Sequence, residues 1–137
     1  MYNPFSLNGK TILVTGASSG IGKSAAIECA KMGAICIITG RNEKRLNDTL
    51  MLLEGNGHRA FPADLTIEED LNRLVEQCPS IDGLINNAGI GYTKLIAFYK
   101  ESNLRKIYET NAFAPMLLTS CLIKKKKINT GASVVFT

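Results

Sequence analysis

Thr15-Gly16-Ala17-Ser18-Ser19-Gly20-Ile21-Gly22 follows the apolar run Thr11-Ile12-Leu13-Val14 and leads into a helical pattern that starts near Ile21. A strand that passes through glycines into a helix is a place to hold an anion. The helix start offers unpaired N–H groups and the positive end of its dipole. Gly16 permits a tight turn, Gly20 lets backbone approach a phosphate, and Gly22 lets helix pack close to strand.

Outward from this loop, strand and helix patterns alternate. Strands are expected at Thr11–Thr15, Ala34–Thr39, Arg59–Pro62, Gly83–Asn86 and Val134–Thr137. Helices are expected at Ile21–Met32, Glu43–Glu54, Glu68–Cys78 and, as one long element, Ser102–Lys126. The first helix carries Ile21, Ala25, Cys29 and Met32 at helical spacing and closes on Gly33. Thr66 reads as the N-cap of the third helix. Ala34–Thr39 is nearly all apolar, as suits a strand covered on both faces. Repeated βα units with short loops imply a parallel sheet with right-handed crossovers. The expected fold is α/β, a doubly wound parallel sheet with strand order 3-2-1-4-5, ending after its fifth strand. Residues 1–137 then form a single dinucleotide-binding domain, incomplete at its C-terminus. Asn86-Asn87-Ala88-Gly89 closes the fourth strand, so it and the glycine loop fall on one crevice, where the strand order reverses.

Composition is that of a globular domain with a core. The formal net charge is +4, and Lys124, Lys125, Lys126 and Lys127 account for all of it. The chain is not basic throughout, which argues against a nucleic-acid binder. The lysine run is either a solvated helix end or a patch for an anionic partner. Four cysteines, Cys29, Cys36, Cys78 and Cys121, form no C-x-x-C pair and have no histidine at ligand spacing, so no metal site is expected. Buried free thiols in a reducing, cytoplasmic setting are the reading. No secretory signal pattern or membrane-length apolar run is present, so no membrane association is expected. His58, the single histidine, reads as solvated and without a role.

The spacing Gly16-x-x-x-Gly20-x-Gly22 after Thr15, with Asn86-Asn87-Ala88-Gly89 at a later strand end, resembles the short-chain dehydrogenase/reductase family. The resemblance runs from Leu7 to Thr137. It implies cofactor contacts from Thr15, Gly16, Ser18, Ser19, Gly20, Ile21 and Gly22, and from Asn87, Ala88 and Gly89. It also implies an adenine contact from Asp64 with Leu65, although Asp64 beside Thr66 also suits a turn or cap. The family works with a Ser just past the fifth strand and a Tyr-x-x-x-Lys on the next helix. This chain stops at Thr137, and none of Tyr92, Tyr99 and Tyr108 has a Lys four residues on. The chain is therefore expected to be the N-terminal half of an enzyme.

Two further residues carry weight. An acid at the end of strand two would bond the adenosine ribose 2′-OH and repel a 2′-phosphate. Here the chain reads Gly40-Arg41-Asn42, and Arg41 offers a charged fork to a phosphate, so NADP is favoured. The plainer reading of Arg41 is a solvated residue at a helix start. Asn111 is a poor interior helix residue. The resemblance gives it a catalytic part: it breaks the helix and supports a water that relays protons. Pro115 cannot donate to the Asn111 carbonyl, which leaves that oxygen free. The plainer reading is an exposed polar position.

The leading expectation is an NADPH-dependent reductase acting on a small carbonyl or alcohol substrate, of the carbonyl or 3-oxoacyl type, and a homo-oligomer. Met116, Leu117, Leu118, Cys121 and Leu122 are its candidate subunit contacts, although such a stripe also suits packing on the sheet. A non-catalytic dinucleotide-binding module is the alternative. A third, an assembly protein without cofactor, is opposed by the glycine loop and Arg41.

Overall fold

The computed structural model describes every residue from Met1 to Thr137. Strands β1 (Thr11–Thr15), β2 (Ile35–Gly40), β3 (Arg59–Pro62), β4 (Ile81–Asn86) and β5 (Ile128–Phe136) form one parallel sheet. Their order is β3-β2-β1-β4-β5, as the alternation of elements requires. Helices α1 (Gly20–Lys31), α2 (Glu43–Leu50), α3 (Glu68–Gln77), α4 (Glu101–Tyr108) and α5 (Ala114–Lys124) connect them.

Successive side chains on a strand point to opposite faces, and the core divides accordingly. Ile12, Val14, Cys36 and Ile38 pack with Ala26 and Ala30 of α1 and Leu46 of α2. Leu13, Ile37, Ile81 and Leu84 pack with Leu71 and Leu74 of α3 and Leu118 and Leu122 of α5. Both faces of the central strands are thus dry, which explains why β2 is apolar up to Thr39. Cys36 and Cys78 are buried and all four thiols are free. Burial pushes the Cys36 thiol up to about 12 and the Cys78 thiol up to about 11.

Several expectations are corrected. The inward face of α1 is Gly22, Ala26 and Ala30, whereas Ile21 is 74% exposed and Met32 also faces solvent. Small residues turn inward because α1 starts against the Gly16 turn and must lie close to the sheet. The long helix is interrupted. A π-helical turn, Glu109–Phe113, separates α4 from α5, and the Ala114 N–H reaches the Glu109 carbonyl. Pro115, with no N–H for Asn111, forces the ladder to re-register. A 3₁₀ turn at Ile96–Phe98 precedes α4, within a segment that reads as loop. β5 begins at Ile128, well before Val134. Ile81 faces Ile128 but Gly83 faces Ser133, so β5 loops outward between them, with Gly131 at φ +80°.

His58 has a structural role rather than none. Its Nδ1 accepts the Cys36 N–H at 3.0 Å and its Nε2 lies 2.8 Å from the Glu54 carbonyl, latching the α2–β3 loop to the start of β2. Thr66 does not cap α3. Ile67 stands at that position, and Thr66 bonds Asp64 instead. The lysine run is partly used. Lys127 donates to the Glu76 and Cys78 carbonyls at the end of α3, and Lys125 pairs with the Glu76 carboxylate at 2.8 Å. No helix is long and apolar enough to cross a membrane.

Candidate functional site

The C-terminal ends of β1, β2, β3 and β4 open into one cleft of about 590 Å³. Its rim is tied together by hydrogen bonds between neighbouring strand ends. The buried Thr15 hydroxyl accepts the N–H groups of Asn87 and Ala88, each at 2.9 Å, and so fixes the turn after β4 to β1. The Ala17 N–H donates to the Thr39 carbonyl at 3.1 Å, and the Ala63 N–H to the Gly40 carbonyl at 3.0 Å. Thr39 Oγ1 donates to the Phe61 carbonyl at 2.6 Å. These threonines sit at the ends of adjacent strands, where the regular ladder gives way to loops.

The glycines fit the tightness of this rim. Gly16 holds φ +63°, and a Cβ there would lie 2.8 Å from Ala88 Cα. A Cβ on Gly22 would collide with the Gly16 carbonyl. Gly20 holds φ +57° with nothing within 4 Å of a Cβ, so its surroundings are open to a ligand. An anion drawn to the start of α1 therefore has room at Gly20, and Gly16 and Gly22 serve the packing of the turn itself.

Asp64 sits in a small turn of its own. Its Oδ1 accepts the Thr66 N–H at 3.0 Å and the Thr66 hydroxyl at 2.6 Å, while its N–H donates to Asp70 Oδ2 at 2.8 Å. That N–H, helped by the Arg73 guanidinium, holds the Asp70 carboxyl below the usual carboxylate range. Asp64 Oδ2 has no protein partner and remains available to an incoming donor.

Asn111 lies within the π turn, beside the cleft rather than in its wall. Its Oδ1 accepts the Ile90 N–H at 2.8 Å and its Nδ2 donates to the Ile90 carbonyl at 2.9 Å. The amide thus clamps the segment after β4, and both of its polar atoms are used. Gly89 faces it, and a Cβ there would lie 3.3 Å from Asn111 Oδ1.

The structure gathers Gly16, Ser18, Ser19, Arg41, Asp64, Leu65, Asn87, Ala88 and Gly89 around the cleft. Thr15 stands behind the wall as a brace. Gly20, Ile21 and Gly22 lie outside the lining. The lining also includes Thr39, Gly40, Asn42, Arg45, Ala63, Thr66, Thr110 and Ala114, none of which the sequence reading named as a cofactor contact. For Arg45 a signal existed: Asn42 is an N-cap residue, so Arg45 falls on the first turn of α2, close to Arg41. For Thr110 and Ala114 there was none, because their direction depends on the π turn.

Comparison with known proteins agrees with this geometry. The family model for short chain dehydrogenase matches residues 10–137. The chain belongs to the short-chain dehydrogenase family. It is similar to the oxidoreductase YvaG of Bacillus subtilis, with 38% identity over 117 residues, covering 82% of this chain and 44% of that protein. It is similar to the 3-oxoacyl-[acyl-carrier-protein] reductase FabG of Rickettsia felis, with 33% identity over 94% of this chain and 53% of the other. Among solved structures, the RhlG/NADP active-site complex of Pseudomonas aeruginosa matches with a TM-score of 0.86 and 31% identity, covering 98% of this chain and 56% of that one. The chain spans about half the length of the relatives it matches.

Proposed function

We propose that the cleft binds NADP(H), and that the chain supplies the cofactor-binding half of a carbonyl or 3-oxoacyl reductase. The observation that carries this is Arg41. It lines the cleft at the end of β2, with no carboxylate between it and Glu43. A guanidinium there attracts a ribose 2′-phosphate, and no acid competes for it. The FabG and RhlG relatives support the same chemistry, one by its named activity and the other by its bound NADP.

The bound cofactor would supply a hydride to a carbonyl carbon. Ser18, Ser19 and the open backbone at Gly20 suit the pyrophosphate. Asp64 Oδ2 suits the adenine amine, with Leu65 against the ring. The Asn87-Ala88-Gly89 turn, held by Thr15, suits the ribose. Asn111 acts as a positioning residue: it fixes Ile90 and, through the π turn, the wall formed by Thr110 and Ala114. No Tyr-x-x-x-Lys lies within residues 1–137, so these residues alone lack the proton donor that reduction needs and turn over no substrate. We read the protein as cytoplasmic, because its four thiols are free.

Self-association is part of the same reading, through the outward part of the expected stripe and its neighbours. Leu118 and Leu122 are buried under the sheet, and Cys121 is half-buried, so they are unavailable. Met116 and Leu117 face outward together with Leu104, Tyr108 and Phe113.

The test is a calorimetric titration of the chain with NADPH and NADH. A charge-assisted contact contributes about 1.5–3 kcal/mol, so NADPH binds about tenfold to a hundredfold more tightly. R41A removes most of that gap. Equal affinities in the unmutated chain would exclude the NADP assignment.

A further inference from the structure

We propose that Arg45 is a second specificity arm, which closes with Arg41 on the phosphate monoester of the adenosine ribose. The inference rests on the reading of the cleft as an NADP site. It begins from the partners of the five arginines. Arg73 pairs with Asp70, Arg105 pairs with Glu101, and Arg59 stacks over the Phe61 ring. Arg41 and Arg45 have no carboxylate and no ring, and both line the cleft. The planar fork of arginine is matched to carboxylate and phosphate, and here neither arginine is paired with one.

The backbone at Arg45 is fixed while its head is free. Its N–H donates to Asn42 Oδ1 at 2.9 Å, and its carbonyl accepts the Thr49 hydroxyl at 3.1 Å. The next residue, Leu46, is fully buried and donates its N–H to the Asn42 carbonyl at 2.9 Å. Asn42 is therefore a hinge post with an arginine on each side, one before the helix and one on its first turn. Binding needs only the two side chains to settle, with no rearrangement of the chain.

Charge decides between one arm and two. A phosphate monoester carries about −1.5 to −2 charges near neutral pH, so a single guanidinium leaves it partly unmatched. Asp64 is the only carboxylate in the lining, and its Oδ1 is already held by Thr66. Two cations against one acid give a cleft that favours a dianion over an uncharged hydroxyl.

The test uses the full chain, titrated with NADPH, NADH, 2′,5′-ADP and 5′-AMP. R45Q is compared with R41Q, with the double variant and with R59Q as a control for lost charge. R45Q should weaken NADPH and 2′,5′-ADP by about tenfold or more and leave NADH and 5′-AMP unchanged. It should also flatten the fall of NADPH affinity with added salt. Circular dichroism confirms that each variant folds. If R45Q leaves NADPH affinity intact while R41Q lowers it, the second arm is refuted and the NADP reading stands. If R45Q weakens all four nucleotides equally, the residue acts through α2 and the proposal fails. If the unmutated chain binds none of them, the cofactor reading fails and takes this inference with it.

Discussion

Replacing Thr15 by Val removes one oxygen and leaves the side-chain volume nearly unchanged. That oxygen accepts the N–H groups of Asn87 and Ala88, each at 2.9 Å, on a residue only 1% exposed. T15V therefore strands two donors without opening a cavity. A stranded buried N–H costs about 1–3 kcal/mol, and Asn87 and Ala88 are only part-buried, so the lower half of that range applies. The sum is about 2–4 kcal/mol, a large share of a typical domain stability of about 5–15 kcal/mol. With a urea slope of about 2 kcal/mol per molar, the unfolding midpoint should fall by about 1–2 M. T15S keeps the acceptor and should stay within about 0.5 M of the parent. The assay is urea unfolding followed by circular dichroism at low protein concentration. A T15V midpoint equal to the parent's would show that the hydroxyl does not hold the turn after β4, and the brace assigned to Thr15 would have to be abandoned.

Three further outcomes are expected. G22A should lower the melting temperature, because its methyl would collide with the Gly16 carbonyl and overpacking costs about 1–3 kcal/mol; G91A, with open space around it, is the control, and equal melting of both would refute the close approach. Asp82 accepts the Thr11 N–H at 2.9 Å and an Asn129 amide hydrogen at 3.0 Å, bonds that hold its carboxyl below the ordinary value of 3.8. Its contribution is then complete above that ordinary value and is lost as pH falls through the lower folded value, so D82N should flatten the acid limb of a stability–pH curve, and an unchanged limb counts against the assignment. Sedimentation over a range of concentrations should show self-association that M116D/L117D reduces; a monomer throughout would mean the outward apolar face of α5 has no self-partner.

Much of the frame was legible because it depends on local pattern. The apolar runs of β1 and β2, the turn through Gly16 and the Asn86–Gly89 corner fix the strand order and the crevice. The reading failed where a direction depends on tertiary fit. Ile21 and Met32 have helical spacing, yet they face solvent, since α1 turns the small residues Gly22, Ala26 and Ala30 to the sheet. Pro115 announces a disturbance in the long helix, but its form, a π turn rather than a break, is not written in the local pattern. β5 hides its first half because Asn129-Thr130-Gly131 reads as a loop while Ile128 already pairs with Ile81. His58 has no sequence pattern at all. Its two bonds exist only because the α2–β3 loop folds back over the start of β2.

The π turn at Glu109–Phe113 also acts as a spacer that takes up one residue without turning the rod. Each residue of an α-helix advances the side chain by about 100°, and a wider i to i+5 turn spends about one residue more on the same rotation. α4 and α5 therefore keep nearly the phase of one unbroken helix, and the surplus residue is stored in the turn that carries Asn111. A one-residue deletion there would leave both arms facing as they do and remove only the local widening. What it would cost is the seat from which the Asn111 amide reaches Ile90, and with it the tether on the loop from Gly89 to Tyr99. The turn is thus a shock absorber: a change in chain length is felt at one clamp and not along the whole helix.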